Sequence, residues 1–204
     1  MRSWVLLGGM VGLMLLAGCG APAPARYAVD FGEGAPGWSL PQDPRFQARA
    51  EDGRLILTLK PARTVAWIFS PFTLREGQVE VEGTLLEGPS SADYGLVLGA
   101  GRGRLYRFAV SADGHYGIFV YEQGAWRTRV DWTSHEGVRT GRTTNRLQVR
   151  CERSEMVFWI NGIEVARIPR DPREEGGRVG VSVGTAATGE AQVGFARFLA
   201  VRDR

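Results

Sequence analysis

The chain has 204 residues, 44% hydrophobic and 23% charged, the balance of a folded globular protein and not of a disordered tail. Glycine is abundant at 28 residues, yet with 10 prolines the combined share stays below the ~25% of low-complexity chains, so many turns are expected within one domain. The formal charge of +3 falls to about +2 once a leader containing Arg2 is discounted, too weak and too evenly spread for a nucleic-acid footprint, so no nucleic-acid partner is expected.

Met1 and Arg2 precede an apolar stretch of about fourteen residues, Trp4 to Ala17, shorter than the ~20 a membrane-spanning helix needs. It reads as the core of a signal peptide. The following Leu16-Ala17-Gly18-Cys19 resembles the lipobox of bacterial lipoproteins, in which the signal is cut before a cysteine that is then diacylated. That resemblance implies a signal peptide over residues 1–18, lipidation of Cys19, and a chain held at the extracytoplasmic face of a cell membrane through its lipid anchor. Residues 19–26, with alternating Ala and Pro, read as the lipidated cysteine and a short extended tether, and residues 27–204 as the folded domain. The other cysteine, Cys151, alternates with Leu147 and Val149, so a buried apolar thiol and no disulfide are expected.

From Tyr27 onward, short alternating runs recur about every eight to twelve residues between turn signals, which is the spacing of an all-β sandwich or barrel. The predicted strands are Leu55 to Leu59, Val79 to Glu82, Tyr94 to Leu98, Leu105 to Ser111, Tyr116 to Glu122, Trp126 to Trp132, Asn145 to Glu152, Met156 to Ile160, Glu164 to Ile168, Arg178 to Val183 and Ala191 to Val201. Asp113-Gly114 and Asn161-Gly162 predict two-residue type I′ hairpin turns, with Gln123-Gly124 doing the same less rigidly. Thr133 to Thr144 and Arg170 to Gly177 read as surface loops.

Several of these segments, in their order and spacing, also carry a family resemblance. They are Asp93-Tyr94-Gly95-Leu96-Val97, Leu105-Tyr106-Arg107-Phe108-Ala109-Val110, Asp113-Gly114-His115-Tyr116, Gly124-Ala125-Trp126, Asp131-Trp132-Thr133, Asn145-Arg146-Leu147-Gln148-Val149 and Ile160-Asn161-Gly162. Together they resemble the concanavalin A-like, laminin-G-like jelly-roll domains of bacterial surface proteins, and Asp30-Phe31 followed by Trp38 looks like that family's opening strand. The resemblance implies a two-sheet antiparallel β-sandwich, an architecture that hosts lectins, glycanases, sugar-binding modules and protein-binding modules. The layout of Ser70 to Gly99 also resembles the 3-keto-disaccharide hydrolase type of jelly roll.

Departures from the family pattern narrow what the resemblance implies. Phe195 and Phe198 enclose Ala196 and Arg197 where related domains place an aspartate, which leaves Asp30 as a lone carboxylate. Calcium takes six to eight oxygens, so no metal or other cofactor is expected and a calcium site is not favoured. Glucanases of this fold carry two acids four residues apart with an aspartate between; here Glu80-Val81-Glu82 is followed by Thr84, and reads as a solvated strand face. His115, His135 and Ser134 form no triad by adjacency alone, so no catalytic residues are assigned.

Period-two alternation nominates a binding face instead. With Tyr106, Phe108 and Val110 inward, Arg107 points outward; by the same rule Phe119, Tyr121, Gln148, Arg150 and Trp159 point outward, and Arg127 and Arg129 join them if Val130 is core. Aromatic rings stack on the apolar face of a sugar while Arg and Gln satisfy its hydroxyls, so the expected partner is carbohydrate or cell-surface polysaccharide, with arginines favouring an acidic one. The expected function is therefore non-catalytic glycan binding. The alternatives are a glycoside or 3-keto-glycoside hydrolase and a structural or protein-binding surface lipoprotein.

Overall fold

The computed structural model describes residues 25–185 and 189–203; the lipobox and Cys19 lie outside the described residues. In chain order the strands are β1 (Arg26–Val29), β2 (Gln42–Asp43), β3 (Phe46–Glu51), β4 (Arg54–Leu59), β5 (Val65–Leu74), β6 (Gly77–Glu87), β7 (Asp93–Gly99) and β8 (Leu105–Ser111). There follow β9 (His115–Glu122), β10 (Ala125–Ser134), β11 (Asn145–Cys151), β12 (Glu155–Ile160), β13 (Ile163–Pro169), β14 (Gly177–Gly184) and β15 (Ala191–Arg202). A nine-stranded sheet runs β13-β12-β11-β6-β15-β4-β3-β2, with β1 also on β15, and a six-stranded sheet runs β10-β9-β8-β7-β14-β5. Every pairing is antiparallel, and the two sheets form a jelly-roll β-sandwich.

The core lies between the sheets and follows the predicted alternation. Along β6 buried and half-buried residues alternate through Val79, Val81, Gly83 and Leu85. Leu55, Leu57, Leu96, Phe108, Ile118, Leu147, Phe158, Val181 and Phe195 are all fully buried, each such side chain contributing about 1.5–3 kcal/mol. Aromatic pairs lock one sheet on the other: Phe108 meets Phe158 edge-on at 5.1 Å and Tyr94 meets Phe195 at 6.3 Å.

Two hairpin turns have the predicted form, with positive φ at both Asn161 and Gly162 and at both Gln123 and Gly124. Asp113-Gly114 does not. Only Gly114 has positive φ, its N–H donates to the Ser111 carbonyl at 3.1 Å, and the Asp113 carboxylate is held by Ser111 and His115. The loop is therefore three residues long, a turn followed by a glycine bulge. The opening strand also ends early: pairing stops at Val29, and Phe31 turns away with φ 64° to bury its ring against Trp38.

Strand β5 is absent from the alternation pattern because Val65, Trp67 and Phe69 are as apolar as Ile68 and Phe72 on its other face. Such a strand is covered on both sides, which hides period two. The segment predicted as a long surface loop does more than connect. After β10 the chain crosses from the six-stranded to the nine-stranded sheet, and Asn145, fully buried at the end of the crossing, fixes it. Its side chain donates to the Tyr94 hydroxyl at 3.0 Å and the Arg139 carbonyl at 2.9 Å, and accepts from the Arg139 N–H and Asn161.

Candidate ligand-binding site

The outward face of the six-stranded sheet has a floor of small residues. One cross-strand row reads Trp67, Ser182, Gly95, Ala109 and Gly117, so side-chain bulk is absent between β5 and β9. Bulk could not be added: a Cβ on Gly184 would lie 2.5 Å from the Asp93 carboxylate, and one on Gly117 would lie 2.7 Å from the Phe119 ring. Over this floor lies Arg107, only 3% exposed although it points away from the core. Its Nε donates to Ser182 Oγ at 3.0 Å and its Nη2 to Asp93 Oδ1 in an ion pair.

Aromatic rings wall this floor. Phe119 and Trp132 pack at 5.4 Å, while Tyr121 and Trp126 pack at 5.3 Å. Trp67, from the far edge of the sheet, meets Trp126 perpendicularly at 6.0 Å and Tyr121 at 6.5 Å. Three strands separate β5 from β9, about 19 Å along a flat sheet, so the meeting of these rings shows that the face is strongly concave. Beside the rings lies a hollow of about 180 Å³ lined by Val65, Asp93, Arg107, Phe119, Trp126 and Trp132.

Among the described residues, Arg107 Nη1 and Asp93 Oδ2 have no hydrogen-bond partner, and no fully buried side-chain polar atom lacks one. Both residues line the hollow and offer it one donor and one acceptor, joined by the ion pair. A ligand with adjacent hydroxyls would satisfy both.

The structure divides the seven nominated residues. Arg107, Phe119 and Tyr121 lie together on the concave face, whereas Gln148, Arg150 and Trp159 lie on the outward face of the other sheet, where Gln148 sits between Glu80 and Trp159. The sheets pack ~10 Å apart with the core between them, so no single ligand ring touches both sets. Alternation gave the correct side of β8, β9, β11 and β12; the crossing at residues 135–144 changed the sheet. Arg150 is bound to Glu152 at 3.4 Å and Asp203 at 3.0 Å.

Arg129 is corrected for another reason. A register shift between Thr128 and Val130 makes it the extra residue of a bulge, and it turns to Glu122 at 3.6 Å. The same bulge reverses the alternation upstream, so that Trp126, opposite Tyr121, faces the hollow in place of Arg127. Trp67, Trp126 and Trp132 were all missed. Trp126 and Trp132 are among the few large apolar residues left exposed, at 37% and 40%, and their density in β10 was the available signal.

Other chemistry-bearing groups are engaged elsewhere. Glu80 and Glu82 face out of the nine-stranded sheet, paired with Arg146 at 2.7 Å and Arg197 at 3.2 Å. Cys151 is buried, which pushes its thiol up to about 12 and leaves it protonated at neutral pH. At the β9–β10 end, Arg104 bridges Glu122 and Glu174, and its hydrogen bonds hold the Glu122 carboxyl below the usual range. A larger hollow of about 500 Å³ lies between β1 and β15, but its one ring, Phe198, is 1% exposed and offers no stacking surface.

No protein-family model matches the sequence, and no curated protein matches it. Solved structures do match the fold. The carbohydrate-binding module CBM66 from Bacillus subtilis is similar with a TM-score of 0.63 and 14% identity, over 79% of this chain and 93% of that one. The β-glucanase of Bacillus licheniformis gives 0.67 and 8%, over 89% and 100%. The catalytic domain of an endo-1,3-β-glucanase (laminarinase) from Thermotoga petrophila gives 0.63 and 9%, over 87% and 97%. The chain thus shares the concanavalin A-like jelly-roll fold of these proteins.

Proposed function

We propose that the concave face binds a ring of a neutral glycan without transforming it, and that lipidated Cys19 presents the domain on the extracytoplasmic face of a cell membrane. The observation that supports the first part is the buried Arg107–Asp93 pair, with an open donor and an open acceptor, set among aromatic rings at the hollow. A pyranose or furanose ring stacks its apolar face on Phe119, Trp126 or Trp132 and exchanges hydroxyl hydrogen bonds with the pair. The acidic ligand expected from the arginines loses its support, because Asp93 neutralises Arg107 and would repel a second carboxylate. Glycoside hydrolysis in either stereochemical course uses two carboxyl groups, and the residues lining the hollow include one, already ion-paired. Similarity in fold to a carbohydrate-binding module and to β-glucanases supports the glycan class.

The test uses the full chain in mild detergent against β-1,3-glucan, mixed-linkage β-glucan, β-mannan, fructan, α-1,4-glucan, pectate and alginate, with released sugar assayed in the same mixtures. Binding to a neutral polymer, abolished in Trp132→Ala and accompanied by no product, is expected. Preference for pectate or alginate, or sugar release, would overturn this reading. For the anchor, Cys19→Ala is expected to move the chain from the membrane to the aqueous fraction of cells; a variant still retained in the membrane would refute lipidation there.

A further inference from the structure

We infer that the site takes the end of a glycan chain and not an internal stretch. This rests on the glycan reading of the same site. A cleft that binds mid-chain must be open at both ends, so that rings can continue past the central one in each direction. Here the face is closed on one side. Trp67 reaches across from β5 to meet Tyr121 and Trp126, which come from the opposite edge of the sheet, and the three rings form a partition over the concave floor.

Position along β5 shows what the partition separates. Val65, one step before Trp67 on the same side of the strand, lines the 180 Å³ hollow with Asp93 and Arg107. Phe69, one step after it, lines a second hollow of about 340 Å³ with Leu40, Phe46 and Arg178. Arg178 caps the Phe69 ring at 4.9 Å. The first hollow is thus blind at the partition and smaller than the ~300–1,000 Å³ of sites that enclose drug-sized ligands. One terminal ring enters it with its last hydroxyls toward Arg107 Nη1 and Asp93 Oδ2; the rest of the chain leaves away from the partition.

The test is a length series, with the full chain in detergent and linear β-1,3-, β-1,4-mannan, fructan and α-1,4-linked oligosaccharides from trisaccharide to hexasaccharide, each beside its parent polymer. The cyclic hexamer α-cyclodextrin accompanies the α-1,4 series as a probe without ends. Affinity in the series that binds is expected to stay constant with length, and bound protein per mass of sugar to fall in proportion to the number of chain ends. Trp67→Ala, or Trp67→Leu if the alanine variant fails to fold, is expected to open the partition, so that affinity now rises with length and saturation of the polymer increases. An affinity in the original chain that grows with added rings, about tenfold for each 1.4 kcal/mol of new contact, or equal binding of a cyclic ligand, would overturn the inference and leave glycan binding standing. Failure of every series would overturn the glycan reading, and the inference with it.

Discussion

Arg107 is the residue on which the proposed site depends, and its energetics are those of a buried ion pair. Removing one partner of such a pair leaves an uncompensated charge and costs about 3–5 kcal/mol, whereas replacing both with apolar groups of similar volume is often neutral. Arg107→Met is therefore expected to lose about that much stability in denaturant unfolding, and Arg107→Met with Asp93→Leu to recover most of it. Neither variant should bind glycan. Recovery of binding in the double variant would show that the pair serves only the fold. Parity along β8 was enough to place Arg107 opposite Phe108. It could not reveal that the outward side is itself enclosed, because that depends on Ser182 and the glycines of strands far away in sequence.

At the scale of the element, the decisive feature is the bulge in β10. One added residue, Arg129, exchanges which neighbours face the hollow, and its composition carries no mark of this. Deleting Arg129 is expected to close the bulge with Thr128 still opposite Phe119 and Trp126 still opposite Tyr121, and so to leave binding intact while the chain folds cooperatively. Loss of binding in a folded deletion variant would mean that the bulge itself takes part in the site. Strand positions and two of the three predicted tight turns were legible because alternation and Asn-Gly or Gln-Gly pairs act over a few residues. The grouping of Gln148, Arg150 and Trp159 with Arg107 was not, since strands that follow one another in hairpins are indistinguishable in sequence from strands that change sheet. Buried Asn145, which anchors the crossing by hydrogen bonds to Tyr94 and Arg139, was the polar residue that marked it.

For the whole molecule, the antiparallel registers set every landmark at one of two ends. Val65, Gly184, Asp93 and Ser111 share one end, and Leu74, Gly177, Gly99 and Leu105 the other. The chain enters the fold at the second end: Arg26 pairs with Val201, and the Ala25 carbonyl accepts from the Arg202 N–H at 2.8 Å, beside Gly77. The aromatic partition stands between that entry and the hollow. With Cys19 in a bilayer, the seven residues from Cys19 to Ala25 span up to about 23 Å when extended, and a seven-residue strand adds about 24 Å. If Cys19 is lipidated as proposed, the hollow lies at the end of the sandwich farther from the anchor, up to about 47 Å from the lipid. Were the domain to stand upright on that anchor and take glycan ends as proposed, a strand growing out of the same membrane would have to rise past the anchor end and turn back before its tip could enter, while one approaching from outside would meet the opening first. The direction from which a polymer arrives would thus become a criterion of selection, independent of its chemistry.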